Sequence, residues 1–170
     1  MIVASALCVV ACAATGRPAL DSADSMAGSE HRRVLDSVII TLERTPCLGA
    51  CPVYALAIAG DGAVTYEGKA YVSRLGTVTD TISKQQVEAL ISEFERADFF
   101  SFADRYAFGE PTCAVYIVDL PSVIMSVTIK GRTKRVEHDP GCEGAPRELT
   151  ELARMIDQFV QSWKWTGVSR

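Results

Sequence analysis

A segment rich in cysteine and proline, residues 45–54, separates two apolar runs and limits how this chain can fold. Its turn-forming and cross-linking residues are Pro46, Cys47, Gly49, Cys51 and Pro52. Proline fixes φ and lacks an amide donor, so neither proline suits the interior of a central strand. Gly49 permits a positive φ between the two sulfur atoms. The segment therefore predicts a stiff turn that leaves one strand and enters the next, with a cysteine on either side of the bend.

Composition limits the number of domains and the classes of partner. The chain has 170 residues, of which 48% are hydrophobic and 22% charged, as is ordinary for a globular protein. We expect one domain whose core is large enough to fold without a cofactor. The net charge of −4 argues against a nucleic-acid partner, which usually requires a concentrated basic patch. The basic run at residues 130–135 is interpreted as a solvated hairpin turn rather than a ligand patch.

The first residues of the chain are typical of an export signal. Residues 2–14 are apolar and uncharged, and this run is too short for a membrane-spanning helix, which needs about 20 residues. Its length fits the apolar region of a signal peptide, although the usual basic start is missing. The run Val9-Val10-Ala11-Cys12 resembles the bacterial lipobox, in which the cysteine becomes the lipidated N-terminus after cleavage. Plain secretion, and a buried N-terminal strand with incidental cysteines, are the alternatives.

These patterns divide the chain into three parts. Residues 1–11 are predicted to be a signal peptide, residues 12–35 a lipid-anchored flexible tether without a sustained apolar period, and residues 36–166 a single domain. Lipidation of Cys12 would anchor the protein to a membrane. Ala13 lacks the aspartate of the inner-membrane retention signal, so in a Gram-negative cell we expect the periplasmic side of the outer membrane.

The first half of the domain has local signals for strands followed by a helix. Alternating apolar residues predict inward faces of two strands: Val38, Ile40 and Leu42, then Tyr54, Leu56 and Ile58. Residues 60–62 predict a hairpin turn, and Tyr71 with Val72 predicts a short additional strand. Ser83 and Gln86 form a capping-box pattern, after which apolar residues recur at the spacing of an amphipathic helix: Val87, Leu90, Ile91 and Phe94.

The second half repeats this order of strands and then a helix. Val115 and Ile117 predict a strand, and residues 125–129 and 133–138 predict a hairpin. A second amphipathic helix is indicated by Leu149, Leu152, Ile156, Phe159, Val160 and Trp163. The predicted fold class is therefore α+β, with a meandering, mostly antiparallel sheet in two β-then-α halves and two amphipathic helices packed on one face.

Part of this sequence resembles an uncharacterised bacterial domain family of exported proteins and lipoproteins, which carries a Cys-x-Gly-x-Cys-Pro-x-Tyr signature. The residues that carry the resemblance are Cys47, Gly49, Cys51, Pro52, Tyr54, Asp119 and Pro121. The resemblance covers roughly residues 36–165. It implies export and a common fold, and it implies no reaction.

The cysteines provide a further expectation. If Cys8 is removed with the signal and Cys12 carries lipid, an even number remains, namely Cys47, Cys51, Cys113 and Cys142. Four cysteines in an exported domain predict two disulfides, with three possible connectivities. We favour Cys47–Cys51 with Cys113–Cys142. In an extended chain the first pair would lie about 13 Å apart, so this bond requires a turn between them.

No pattern in the sequence indicates an enzyme, and we predict no catalytic residue, no metal and no cofactor. A Gly-x-Ser-x-Gly elbow and a phosphate-binding loop are both missing. The favoured function is a non-enzymatic envelope module that binds an unidentified ligand or envelope protein, or has a structural role. The alternative is a thiol-redox accessory protein using Cys47 and Cys51, although their spacing is Cys-x-x-x-Cys and no helix follows Cys47 to lower its pKa. A zinc site is a less favoured reading of Cys47, Cys51, His138 and Cys142.

Overall fold

The computed structural model describes residues 35–168, so the predictions for the signal peptide, for Cys12 and for nearly all of the tether lie outside these residues. The strands are β1 (Ile39–Arg44), β2 (Val53–Ala59), β3 (Ala63–Ala70), β4 (Gly76–Thr81), β5 (Arg105–Tyr106), β6 (Val115–Tyr116), β7 (Val123–Ile129), β8 (Arg132–His138) and β9 (Cys142–Glu143). The helices are α1 (Lys84–Arg96), α2 (Arg147–Val160) and α3 (Trp163–Thr166).

Seven strands form one open sheet in the order β4-β3-β2-β1-β7-β8-β5, and β6 and β9 form a separate ribbon. Neighbours in the large sheet are antiparallel except β5 and β8, which are parallel. Strand β1 lies at the centre, where Leu42 is opposite Leu56 of β2 and Met125 of β7. The predicted α+β class with a mostly antiparallel sheet is confirmed.

The core lies between one face of the sheet and the helices. As the alternation predicts, Val38, Ile40 and Leu42 are buried on this face. Helices α1 and α2 pack against them in the same core through Leu90, Phe94, Leu149, Leu152 and Ile156. The side chains of the opposite face are half-buried or exposed, for example Thr41 and Glu67. Burial on one side only explains why the strands alternate between apolar and polar residues.

Helix α1 begins as its capping pattern predicts. Ser83 has extended backbone angles, its Oγ accepts a hydrogen bond from the Gln86 amide at 3.2 Å, and Gln86 Oε1 accepts one from the Ser83 amide at 2.9 Å. These two bonds satisfy amide donors that the first turn of a helix leaves unpaired. The helix ends at Arg96, and Ala97 is its C-terminal cap residue.

Three details of the sequence prediction are wrong. The strand expected at Tyr71 and Val72 is a bend, because Tyr71 has a φ of 51° and turns the chain after β3. Strand β6 ends at Tyr116, and Ile117 is 57% exposed because no packed layer covers this segment. Leu35 is 7% exposed, so the packed domain begins at least one residue before the predicted boundary.

The strand directions give the sheet two distinct ends. The end that we call the loop end contains residues 45–52, 71–75, 107–122, 139–146 and 167–168. The opposite end, the turn end, contains the hairpin turns at residues 60–62 and 130–131 together with Leu35. The segment that the sequence singles out therefore lies at the loop end, beside the start of β7.

Candidate functional site

The cysteine-proline segment forms a closed turn between β1 and β2. Cys47 and Cys51 are disulfide-bonded, with their Cα atoms 5.8 Å apart, which lies within the usual range for a disulfide. Gly49 does not adopt the positive φ that the sequence suggested, since it is missing from the glycines with φ above zero in residues 35–168. The turn is therefore closed by the disulfide and by the prolines on either side, without a left-handed residue.

Hydrogen bonds tie this turn to the loop before β7. The Thr45 amide donates to the Ser122 carbonyl at 3.0 Å, and the Ser122 amide donates to Thr45 Oγ1 at 2.9 Å. These bonds bring the two parts of the signature together, because Pro121 then lies near Cys51 and Pro52 in one groove. Asp119 does not line this groove. It is exposed at the tip of the loop and has a φ of 73°.

The groove lies between this turn and the C-terminal half of α2 together with α3, and its volume is about 530 Å³. Its lining residues are Arg44, Cys51, Pro52, Tyr54, Pro121, Arg154, Asp157, Gln158, Ser162, Trp163, Thr166 and Val168. This volume is within the range of small-molecule sites, which are concave, mostly apolar and lined by a few placed polar groups. Four signature residues line this groove: Cys51, Pro52, Tyr54 and Pro121.

A polar cluster at the base of the groove joins the sheet to α2. Tyr54 Oη donates to Asp157 Oδ1 at 2.6 Å, Arg44 Nη2 donates to Asp157 Oδ2 at 2.7 Å, and Arg44 Nε donates to Tyr54 Oη at 2.9 Å. Burial and then the Asp157 carboxylate raise the pKa of Tyr54 above its ordinary value. Burial opposes the charge on Arg44, but Asp157 and Tyr54 outweigh it and raise the pKa of the guanidinium. The three side chains are therefore hydrogen-bonded to one another at neutral pH.

A second arginine, Arg154, lines the groove and does not take part in this cluster. Arg154 lies one helical turn before Asp157 on α2 and is exposed. Within residues 35–168, no hydrogen bond or ion pair involves its side chain. Two arginines and one aspartate give the lining a net charge of +1, whereas the whole chain carries −4. The groove is thus a locally positive site on an acidic protein.

Aromatic packing makes the wall behind the groove rigid. The ring of Tyr66 lies 5.7 Å from that of Tyr54 and 4.9 Å from that of Trp165. The Tyr66 hydroxyl donates to the Arg74 carbonyl at 3.2 Å, and the Arg74 amide donates to the Trp165 carbonyl at 2.8 Å. Helix α3 is therefore fixed to the loop after β3, and Trp163 and Thr166 are held at the groove.

The second disulfide lies at the same end of the sheet. Cys113 and Cys142 are bonded, with their Cα atoms 5.2 Å apart, and this is the connectivity favoured from the sequence. Beside them, Asp139 is buried and accepts hydrogen bonds from Tyr116 Oη at 2.7 Å and from the Gly141 amide at 2.9 Å. These contacts fold residues 107–122 back onto residues 139–146.

His138, which precedes Asp139, is 3% exposed, and its Nδ1 has no hydrogen-bond partner in the described chain. Burial lowers the pKa of His138, while the nearby Asp139 acts in the opposite direction. The zinc alternative does not fit, because Cys47, Cys51 and Cys142 are all in disulfides. Across residues 35–168, no group of three or more His, Cys, Asp or Glu side chains has the geometry of a metal site.

Exposed apolar side chains are concentrated at the loop end of the sheet, where the groove lies. Of the ten large hydrophobic side chains exposed in the described residues, nine lie at the loop end: Leu48, Tyr71, Leu75, Phe108, Val115, Ile117, Val118, Leu120 and Val168. Ile39, at the start of β1, is the exception. Exposed apolar side chains mark binding surfaces where they form a contiguous patch, and these nine share one end of the sheet.

Sequence reasoning identified the signature residues but missed the groove and its two arginines. Arg44 and Asp157 are 113 positions apart in the sequence, so no local pattern connects them. One signal was present: Asp157 directly follows Ile156 on the apolar side of a helix, where a carboxylate needs a partner.

These features define a small α+β domain with two disulfides and one apolar groove, and the disulfides indicate a non-cytoplasmic compartment. Residues 38–160 match the family described as domain of unknown function DUF6438, and the chain belongs to that family. The match agrees with the resemblance to a domain family that has no assigned reaction. No curated protein matches the chain significantly. Among the described residues, no helix is long and apolar enough to cross a membrane.

Proposed function

We propose that this protein is an exported, lipid-anchored binding module of the bacterial cell envelope, and that the groove beside the Cys47–Cys51 turn is its ligand site. The lipobox-like run ending at Cys12 supports lipid anchoring. The two disulfides support export. The module has no catalytic role and acts by holding a ligand or an envelope protein.

The observation that carries this proposal is the character of the groove lining. Its strongly interacting polar groups, Arg44, Tyr54 and Asp157, bind each other. The raised pKa of Tyr54 opposes a role in proton transfer, and none of the described lining residues is a histidine that could activate Ser162. An apolar groove with paired polar groups is suited to binding rather than to reaction.

The redox alternative has less support from the geometry. No helix in the described chain begins at Cys47 or Cys51, so no helix dipole is available to stabilise a thiolate. The turn instead holds Pro52 against the groove and fixes the entry into β2. We therefore assign this disulfide a structural role in shaping the ligand site.

A neutral fluorescent probe tests the groove as a ligand site. N-phenyl-1-naphthylamine, whose emission rises in apolar surroundings, should bind the purified protein saturably. Gln158→Phe fills the groove from α2 and should weaken binding at least about tenfold. Thr150→Phe, at an exposed position of the same helix that does not line the groove, should leave binding unchanged. No saturable binding, or equal loss in both variants at matched melting temperatures, would contradict the proposal.

The lipid anchor has a separate test in a Gram-negative expression host. The wild-type chain should pellet with membranes, and Cys12→Ser should move it into the soluble fraction. Cys8→Ser is the matched control and should still pellet. A Cys12→Ser variant that pellets with membranes after a high-salt wash would show that the lipid is not the anchor.

A further inference from the structure

We infer that the ligand of the groove is an acidic amphiphile, a molecule with one anionic head and one apolar chain, and that Arg154 binds the head. This inference rests on the proposed function, because it specifies the ligand of that same groove. It follows from three observations: the unequal use of the two arginines, the apolar groove wall and the apolar rim.

The two arginines of the groove differ in their electrostatic balance. The charge of Arg44 is compensated by Asp157 at 2.7 Å, and its Nε also donates to Tyr54. Arg154 has no hydrogen bond or ion pair in the described chain, although it lines the same groove. A ligand anion placed beside Arg154 would balance the lining charge of +1, whereas a cation would raise it. Opposite charge on a surface steers binding and selects the ligand.

The apolar wall faces the rest of the ligand. Pro52 and Pro121 line the side of the groove formed by the loops, and Trp163 and Val168 line the side formed by α3 and the segment after it. These side chains offer no charge, so the part of the ligand between them must be apolar. Transfer of each methylene from water into such surroundings strengthens binding by up to about fourfold.

The position of Arg154 indicates how the ligand lies. Arg154 is exposed on α2, so the head that it binds remains near solvent, while the chain extends toward the prolines. Val168, which lines the groove, and Leu120, which precedes the lining residue Pro121, are both exposed. A chain longer than the groove would pass over these two side chains. The volume of about 530 Å³ suits one chain of this kind and is too small for a folded partner.

A set of ten-carbon probes with different heads tests this inference. Decanoate, 1-decanol and decyltrimethylammonium share the chain and differ in charge. They are titrated below their aggregation concentrations, with tryptophan emission and calorimetry as readouts, because Trp163 lines the groove. Decanoate should bind at least about fivefold tighter than decanol, and the ammonium compound should bind most weakly. The preference for decanoate should fall with added salt.

Variants of Arg154 locate the head. Arg154→Gln should reduce decanoate binding to the level of decanol and leave decanol unchanged, and Arg154→Lys should keep most of the preference. Arg147→Gln removes an exposed arginine from the same helix outside the groove, and should change neither affinity. All three variants should melt close to the wild type, since Arg154 has no ion pair within residues 35–168 and the Arg147–Glu148 pair is at the surface.

The outcomes separate this inference from the proposed function. Equal binding of decanoate and decanol, with no effect of Arg154→Gln, would overturn the acidic ligand while leaving the groove as a binding site. Tighter binding of the ammonium compound would overturn it as well. Binding seen only above the aggregation concentration would count against the inference, because it reports on micelles. If neither these probes nor N-phenyl-1-naphthylamine binds, the proposed function fails too.

Discussion

At the turn end the chain reverses in short hairpins, whereas at the loop end it reverses through longer segments that contain both disulfides. Lys130 and Gly131 at the turn end both have positive φ, 52° and 72°, as the tight turns of two-residue hairpins require. A Cβ on Gly62 would lie 2.2 Å from the Ile82 carbonyl oxygen, so only glycine fits there. Local backbone geometry therefore favours these turns, and Asp61 Oδ1 accepts a hydrogen bond from the Ala63 amide in the first of them.

The loop end also contains residues with positive φ, among them Tyr71, Gly109, Asp119 and Gly144, but its segments are longer. Its segments expose nine large hydrophobic side chains, and such side chains give a loop no reason to adopt one conformation in water. The two disulfides add stability at this end, because cross-links restrict the unfolded chain. The comparison shows that one end of the sheet reverses in tight turns and the other exposes apolar area, as the proposed binding role requires.

The largest expected effect on stability comes from replacing a buried leucine with alanine, compared with the same replacement of an exposed leucine at the loop end. Leu90 is 0% exposed on the buried face of α1, whereas Leu48 is 82% exposed in the Cys47–Cys51 turn. Leu90→Ala should lower the free energy of unfolding by about 2–5 kcal/mol through lost burial and a cavity. Leu48→Ala should change it by less than about 0.5 kcal/mol. Urea denaturation measures both, and a large loss for Leu48→Ala would mean that this side chain is part of the core.

The two disulfides should differ in how much they stabilise the protein. Cys113 and Cys142 are separated by 29 positions and Cys47 and Cys51 by 4, and chain-entropy estimates give about 3.5 and about 2 kcal/mol for these loops. The double change Cys113→Ser with Cys142→Ser should therefore lower the melting temperature more than Cys47→Ser with Cys51→Ser. Equal effects would show that the disulfides act on the native state rather than on the unfolded chain.

Disulfide exchange by the wild-type protein tests the redox alternative, with one of these double variants as the control. A structural Cys47–Cys51 bond should be reduced slowly and should not cycle a test disulfide. Fast, reversible exchange by the wild-type protein, with a midpoint potential above roughly −230 mV, would support the thiol-redox function instead. The Cys113–Cys142 double variant, which keeps the first disulfide, is the control for general loosening of the fold.

The smallest expected effect is a pH dependence at His138. Burial lowers the pKa of His138 in the native state, so the unfolded chain takes up a proton below about pH 6.5 while the native protein does not. Stability should therefore be complete above about pH 6.5 and should fall as the pH is lowered toward 5. His138→Phe should flatten this dependence. His31→Gln changes the other histidine, which the sequence places in the tether. It should leave the dependence of stability on pH unchanged.

The sequence was sufficient where the determining interactions are local. Period-two alternation located β1 and β2, and the Ser83–Gln86 capping box located the start of α1, because each pattern depends on neighbours within four residues. It failed at Tyr71, where a φ of 51° turns the chain, and at Ile117, where no packed layer covers the alternating apolar residues. It also failed at Gly49, where the disulfide closes the turn without a positive φ.

The groove could not be predicted for a related reason. Its charge distribution depends on Arg44 meeting Asp157 across 113 positions, while Arg154 has no hydrogen bond or ion pair within residues 35–168. Which of two arginines is neutralised is a property of tertiary packing. Four of the signature residues line the groove, and only the fold shows the charge and volume of that groove.

The location of ligand binding tests the central claim most directly. Decanoate is titrated into ¹⁵N-labelled protein, and amide shifts are followed residue by residue. The account predicts saturable shifts concentrated at residues 44–54, 120–122 and 154–168, with the turns at residues 60–62 and 130–131 unchanged. Shifts concentrated at the turn end or on the uncovered face of the sheet, around Thr41 and Glu67, would contradict it.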